Sequence, residues 1–359
     1  MERDYQLDIY RALSMIYVVC VIHVLYWLKL GCEPWISVIL FEMPVIFFVS
    51  GASLSFNKNP RSVLSTLKSR FLRVMLPYYI YAIMMVLVVV VVSVICKLWY
   101  SEIEHVFGSE VLRKHMCDIT QYTWNDVVKI ISGTDIPQAP YVWHIWFILP
   151  YMILSCTFDI QKKILIKINR GGYLLACIML FVATNIFPVP DIIREVCCYN
   201  VFMVIGYCYY KNCRRSLIIT AAIISLIAIL VMLFVYDMDF CAMQGHKFPP
   251  DVFFLTYGIF ALCILSLFFG SIKIPQTKLL NLWHERGYTI YLYQSIVFFF
   301  VYAVCLVVIK KMPLGIVQIV VSTVLMLILS TLASYPTYKL EVTIVCKLKS
   351  AFQRLTSKF

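Results

Sequence analysis

The sequence predicts an all-α integral membrane protein of about ten transmembrane helices with both termini cytoplasmic. Composition is the first reason: 62% of the 359 residues are hydrophobic, 14% are charged and the mean hydropathy is +0.85, outside the range of water-soluble domains. The second is that the apolar residues gather in runs near the roughly 20 helical residues needed to cross a hydrocarbon core. The third is charge placement. The Lys and Arg residues behind the net charge of +12 crowd the segments on the N-terminal side of the spans, and the alternate segments are richer in acid. By the positive-inside rule this puts both ends in the cytoplasm of a multi-pass protein of the cell membrane. Basic residues placed this way set topology, so the charge does not point to nucleic acid.

Taken in order, the expected spans are 9–28, 35–56, 76–99, 142–158, 173–187, 196–210, 217–236, 252–272, 288–309 and 314–335. The first run follows mixed charges and lacks a small-residue cleavage site, so it reads as a retained helix rather than a signal peptide. Residues 1–338 form the membrane domain, and 339–359, basic with interspersed apolar residues, read as an amphipathic cytoplasmic tail. The forty residues between the third and fourth spans hold one amphipathic stretch from Thr123, which reads as a lid on the outer leaflet. Most of the 14 Cys fall inside spans as small packing residues. Cys32, Cys117 and Cys241 fall in outer segments, where pairing is open to them.

Ionisable residues inside apolar spans cost a few kcal/mol each unless something uses them, which makes them the first candidates for a site. Arg11 and His23 lie in the first span. Arg11 taken alone reads as a snorkelling anchor; His23 is of a residue type that titrates near neutral pH and lies about 8 Å inside the far end, a position for a proton carrier. Glu42 in the second span reaches a similar depth, which suggests a buried pair in which the carboxylate orients the ring. Arg70 and Arg73 share a helical face where the third span leaves the cytoplasm, a pattern that suits a phosphorylated ligand or lipid head groups. His144 stands between Trp143 and Trp146 at the outer start of the fourth span, and belongs either to an aromatic belt or to a substrate site. Small residues from Ser50 to Ser53 allow a close helix approach. No metal-ligand spacing, nucleotide loop or hydrolase elbow appears.

Six stretches in this order, LDIYR with a following His, MPVIFFVSG, RFLRVMLPYY, HIWFILPYMIL, KFPPDVFFLTYG and GYTIYLYQS, resemble the acyltransferase-3 family of multi-spanning membrane acyltransferases. The resemblance covers most of the chain. It implies an enzyme that moves an acyl group, usually acetyl or succinyl, from acyl-CoA to a glycan hydroxyl at the outer face. On the matching positions, His23 is the catalytic histidine, Arg11 the arginine of the first-helix motif, and Arg70 and Arg73 the basic pair at the CoA mouth. Relatives usually place ten residues between the Arg and the His. Here eleven intervene, which turns the two side chains roughly 120° apart on an ideal helix, and a π-bulge would restore the alignment. The ninth-span motif commonly ends in His where this chain has Gln294, which keeps hydrogen bonding and loses titration.

The resulting expectation is a membrane O-acyltransferase with no resident cofactor and acyl-CoA as donor substrate. His23, Arg11 and Glu42 serve catalysis, Arg70 and Arg73 bind CoA, and His144, Trp146 and Gln294 meet a glycan or lipid-linked glycan acceptor, with membrane lipids as the remaining partner. The competing class is a transporter or flippase of glycans or small anions, which also uses intramembrane charges.

Overall fold

The computed structural model describes residues 4–30, 33–57, 62–99, 123–137, 139, 141–307 and 315–356. Cys32 and Cys117 lie outside the described residues. The described chain is helical throughout, in eleven principal helices: α1 Tyr5–Trp27, α2 Trp35–Ser55, α3 Val63–Ile95, α4 Trp124–Ser132, α5 Trp143–Leu165, α6 Arg170–Ile186, α7 Asp191–Tyr209, α8 Arg215–Phe234, α9 Val252–Phe269, α10 Lys278–Val307 and α11 Gly315–Thr356. Each expected span overlaps one of them. Eight are long and apolar enough to cross a membrane; α6 is shorter, at 17 residues. The chain is thus an all-helical, multi-pass membrane protein.

Several helices run beyond the expected limits, α3 and α11 furthest. Helix α3 begins at Val63 rather than 76, because Ser62 caps it by accepting from the Ser65 amide and the basic link winds up with it. Helix α11 continues through Pro336 as far as Thr356. Residues 339–356 therefore prolong it, and Glu341 among them is buried with Thr289 donating to it at 2.7 Å.

Bilayer-facing surfaces are recognisable by large apolar side chains left exposed, as at Ile224, Ile227 and Phe234 on α8. Inside, α2 and α7 make the tightest contact. A Cβ on Gly51 would stand 1.9 Å from the Met203 carbonyl oxygen, and one on Gly206 would stand 2.0 Å from that of Phe48. Each glycine receives the other helix's backbone, the close approach that small residues permit where lipid supplies no hydrophobic drive. The amphipathic stretch after Thr123 forms α4 through a reciprocal Thr123–Asp126 capping box, and it ends at Gly133 in the left-handed region, φ 77°. Its last carbonyls accept from the hydroxyls of Tyr78 and Tyr79 on α3. The stretch is therefore fastened to a span and not only laid on a surface.

Candidate active site

Helix α1 is α-helical from Tyr5 to Ile16, a π-helix from Tyr17 to Ile22 and α-helical again from His23 to Trp27. The extra residue of a π-turn absorbs the odd spacing between Arg11 and His23, so both side chains face the bundle interior. They do different things there. Twelve residues of rise, about 18 Å, separate them, and Arg11 donates to Ser53 Oγ at 2.5 Å in a cavity near the basic end.

The His23 ring turns inward. Trp27, one helical turn on, stacks against it at 4.6 Å between centroids, and Tyr291 and His144 stand at 6.0 and 6.1 Å. Its Nδ1 is 2.6 Å from Oε1 of Gln294. The Gln294 amide nitrogen donates to the Tyr291 carbonyl at 2.8 Å, which leaves the amide oxygen for the histidine. An amide oxygen only accepts, so Nδ1 carries the proton and Nε2 keeps its lone pair. No other hydrogen bond reaches the ring among the described residues, and part of its surface stays accessible. This is the arrangement of a general base or nucleophile with a fixed tautomer.

The orienting partner is Gln294 and not Glu42, a correction to the pairing that equal depth suggested. Helix α2 breaks between Val38 and Glu42, and the carbonyls freed at the break accept from Tyr257 (Val38 O) and from Tyr17 (Ile39 O, 2.5 Å). Glu42 restarts the helix, where the positive end of the dipole favours a carboxylate. It is 2% exposed, and its Oε1 accepts from Lys247, another buried side chain. Depth along the sequence cannot tell which neighbour a carboxylate meets, and Lys247 comes from the end of a short helix, Met243–Lys247, between α8 and α9. His144 is also reassigned: its ring nitrogens face the carbonyls of Tyr141 and Leu292 at 3.1 and 3.2 Å. A neutral imidazole has one N–H, so it donates to one of these carbonyls and only faces the other, with both nitrogens turned to backbone rather than to a substrate. Trp146 stays near the site, with the Lys247 ammonium 5.9 Å from its ring centre.

Lys247 is held in turn by its neighbours. His246 Nδ1 lies 2.6 Å from Asp251, whose other oxygen caps α9 by accepting from the Phe254 amide. The Asp251 hydrogen bond and charge raise the His246 pKa above its usual value against the opposing effect of burial. A raised folded-state value means this brace is fully present below the unfolded value of about 6.5 and is lost as pH rises through the folded one. Thermal unfolding of the detergent-purified protein should show a stability loss on raising pH through that window, and the loss should be absent in His246→Gln.

At the basic end, a cavity of about 530 Å³ is lined by Arg11, Arg70, Arg73, Lys162, Tyr151 and Phe147, with exposed Glu285 also on its wall. Arg73 lies in a second π-helical stretch, Phe71–Met75, which turns it toward this space. Lys162, 1% exposed, is compensated by Asp159 at 3.1 Å and the Asn57 carbonyl at 3.2 Å, and Thr66 donates to the other Asp159 oxygen. The Asp159–Lys162 spacing was visible in sequence as an (i, i+3) pair, and its burial was not. The three arginines have no carboxylate partner within ion-pair distance among the described residues, and Arg70 meets only the Tyr151 hydroxyl at 3.4 Å. Phe147 closes the inner end and packs edge-on against Tyr291 at 4.9 Å, so two rings separate the cavity from His23.

A half-buried imidazole with a bare nitrogen, set above an arginine-lined cavity, is chemistry for group transfer from an anionic donor. No curated protein and no solved structure matches the chain. A family model described as an acyltransferase domain matches residues 4–335, nearly its whole length, and the chain belongs to that acyltransferase-3 family of membrane acyltransferases.

Proposed function

We propose that this acyltransferase takes an acyl group, acetyl in the simplest case, from cytoplasmic acyl-CoA and places it on a hydroxyl of a glycan or glycolipid at the outer face of the cell membrane. The observation that carries this reading is the His23–Gln294 bond, which leaves Nε2 of a half-buried histidine unprotonated. The CoA phosphates occupy the cavity against Arg70 and Arg73, with Arg11 deeper on the same wall. The pantetheine arm then extends along the roughly 18 Å of α1 toward His23. That route passes Phe147 and Tyr291, whose rings must swing aside when the donor enters. The acceptor hydroxyl gives its proton to Nε2 as its oxygen attacks the thioester carbonyl. The carbon–sulfur bond breaks, an oxygen ester forms, and the same nitrogen returns the proton to the departing thiolate. Basic residues at the cavity end support assigning that end to the cytoplasm.

The test is donor kinetics in reconstituted protein with labelled acetyl-CoA. Replacing Arg70 and Arg73 together by Gln should raise KM for acetyl-CoA at least about tenfold, two charge-assisted contacts being lost, with kcat much less affected. A donor lacking the 3′-phosphate should be a poorer substrate for the native protein and suffer less from the substitution. Unchanged donor KM would remove CoA from the cavity.

A further inference from the structure

The Glu42–Lys247 pair has features that a purely structural ion pair does not need. Lys247 uses one of its three protons on Glu42 Oε1, and Glu42 Oε2 is buried with no hydrogen-bond partner. The hydroxyls of Tyr26 and Tyr199, both within electrostatic reach of Glu42, are likewise buried and unpartnered. Buried polar atoms are nearly always satisfied, and an orphaned carboxylate oxygen with two orphaned hydroxyls within its electrostatic reach indicates a place where something else supplies the partners. The surroundings are aromatic. Phe248 and Trp146 meet edge to face at 4.6 Å, and the Lys247 ammonium lies 5.0 Å from the Phe248 ring centre. Phe248 is 37% exposed, so one side chain separates the pair from the outside.

This cluster adjoins the histidine site. The short 3₁₀ helix Trp143–Phe147 carries both His144, 6.1 Å from His23 between ring centroids, and, two residues on, Trp146, whose ring centre is 5.9 Å from the Lys247 ammonium. Tyr26 follows His23 by three residues on α1, which puts both on one face.

Resting on the acyl-transfer reading above, we infer that Glu42, Lys247, Tyr26 and Trp146 form the acceptor subsite, and that the acceptor is the ring of a neutral sugar carrying adjacent hydroxyls. The chemistry selects that class. Glu42 Oε2 accepts from one hydroxyl, the remaining protons of Lys247 donate to its neighbour, and the face of Trp146 covers the apolar side of the ring. The pair is already neutral. A sugar acid would bring a carboxylate against Glu42 and an amino sugar an ammonium against Lys247, each leaving a desolvated like-charge contact. Entry requires Phe248 to move aside.

The experiment measures acyl transfer by the full-length protein in lipid, with acetyl-CoA as donor and methyl β-glucoside, methyl glucuronide and methyl glucosaminide as probe acceptors. The double variant Glu42→Gln/Lys247→Met leaves no lone buried charge. It should raise the glucoside KM at least about tenfold and move the acetyl-CoA KM less than about twofold. Phe248→Ala alters only a half-exposed ring and should lower the glucoside KM several-fold, so the inference stays testable if the double variant does not fold. In the native protein the two charged glycosides should be at least about tenfold poorer than the glucoside. A glucoside KM unmoved in Phe248→Ala or in a folded double variant, or a preference for a charged probe, overturns the inference. So does a native protein that hydrolyses acetyl-CoA but acylates no glycoside, and in that case the acyl-CoA reading survives. Absence of any acetyl-CoA turnover removes that reading and the inference with it.

Discussion

His23→Ala should lower kcat for acyl transfer by roughly 10²–10⁴-fold, the usual worth of a positioned general base, with the acetyl-CoA KM within about twofold of the native value. The two parameters separate because the donor's charge is held at the arginine cavity while the imidazole acts only when the acceptor proton moves. Gln294→Leu tests how the ring is held. It removes the hydrogen bond on Nδ1, the only one there among the described residues, so the proton can sit on either nitrogen and the ring can turn on its Cβ–Cγ bond. A loss of about 10–100-fold in kcat is expected, the scale seen when the partner that fixes a histidine's tautomer is removed from a functional site. Gln294→His should restore part of it, since an imidazole at that position can still accept from Nδ1–H. Single-turnover assays on detergent-purified protein separate this from misfolding, provided elution profile and unfolding temperature match the native protein. A His23→Ala enzyme with activity within tenfold of native would show that another group moves the proton.

What the sequence conveyed and what it withheld divide along one physical line. Properties set by a single helix were legible: the spans, the inward charges, the small-residue run at Gly51, and the need for a π-turn between Arg11 and His23, which follows from counting residues against a 100° rotation. Properties set by which helices meet were not. Gln294 is 271 residues from His23, and nothing in its local stretch says that its amide faces an imidazole. Glu42 and His23 share a depth yet have different partners, because a broken α2 and Lys247, at the end of the short helix Met243–Lys247, intervene. His284, Glu285 and Arg286 read as surface residues from their charge. In the structure only Glu285 is exposed. His284 pairs with Asp8 at 3.4 Å, and the Arg286 guanidinium lies 4.3 Å from the Tyr335 ring centre. A charged triplet at a span boundary carries no mark of the helix that later covers it.

Gly51→Leu should yield no monodisperse protein, and Gly51→Ala should destabilise by about 3 kcal/mol or more, at or above the upper end for overpacking. The reason is the atom in the way. The new Cβ would stand 1.9 Å from a carbonyl oxygen of Met203, and that oxygen belongs to the backbone of α7, so no side-chain rotation relieves the clash. The two helices must part, and parting them also undoes the reciprocal contact of Gly206 with Phe48. Around those two contacts α7 carries Met203 and Val204, both buried, and α2 carries Phe47, stacked at 4.6 Å on Tyr199. Tyr199 touches Trp146 in turn at 5.8 Å, so a shift of α7 reaches the residues around Lys247 before it reaches His23. Gly172 on α6 is the control, because nothing lies within 4 Å of a Cβ there. Gly172→Ala should be neutral or stabilising by up to about 1 kcal/mol through helix propensity alone. Unfolding temperatures of the two alanine variants in the same detergent decide the matter: equal values would mean that α2 and α7 are not in backbone contact.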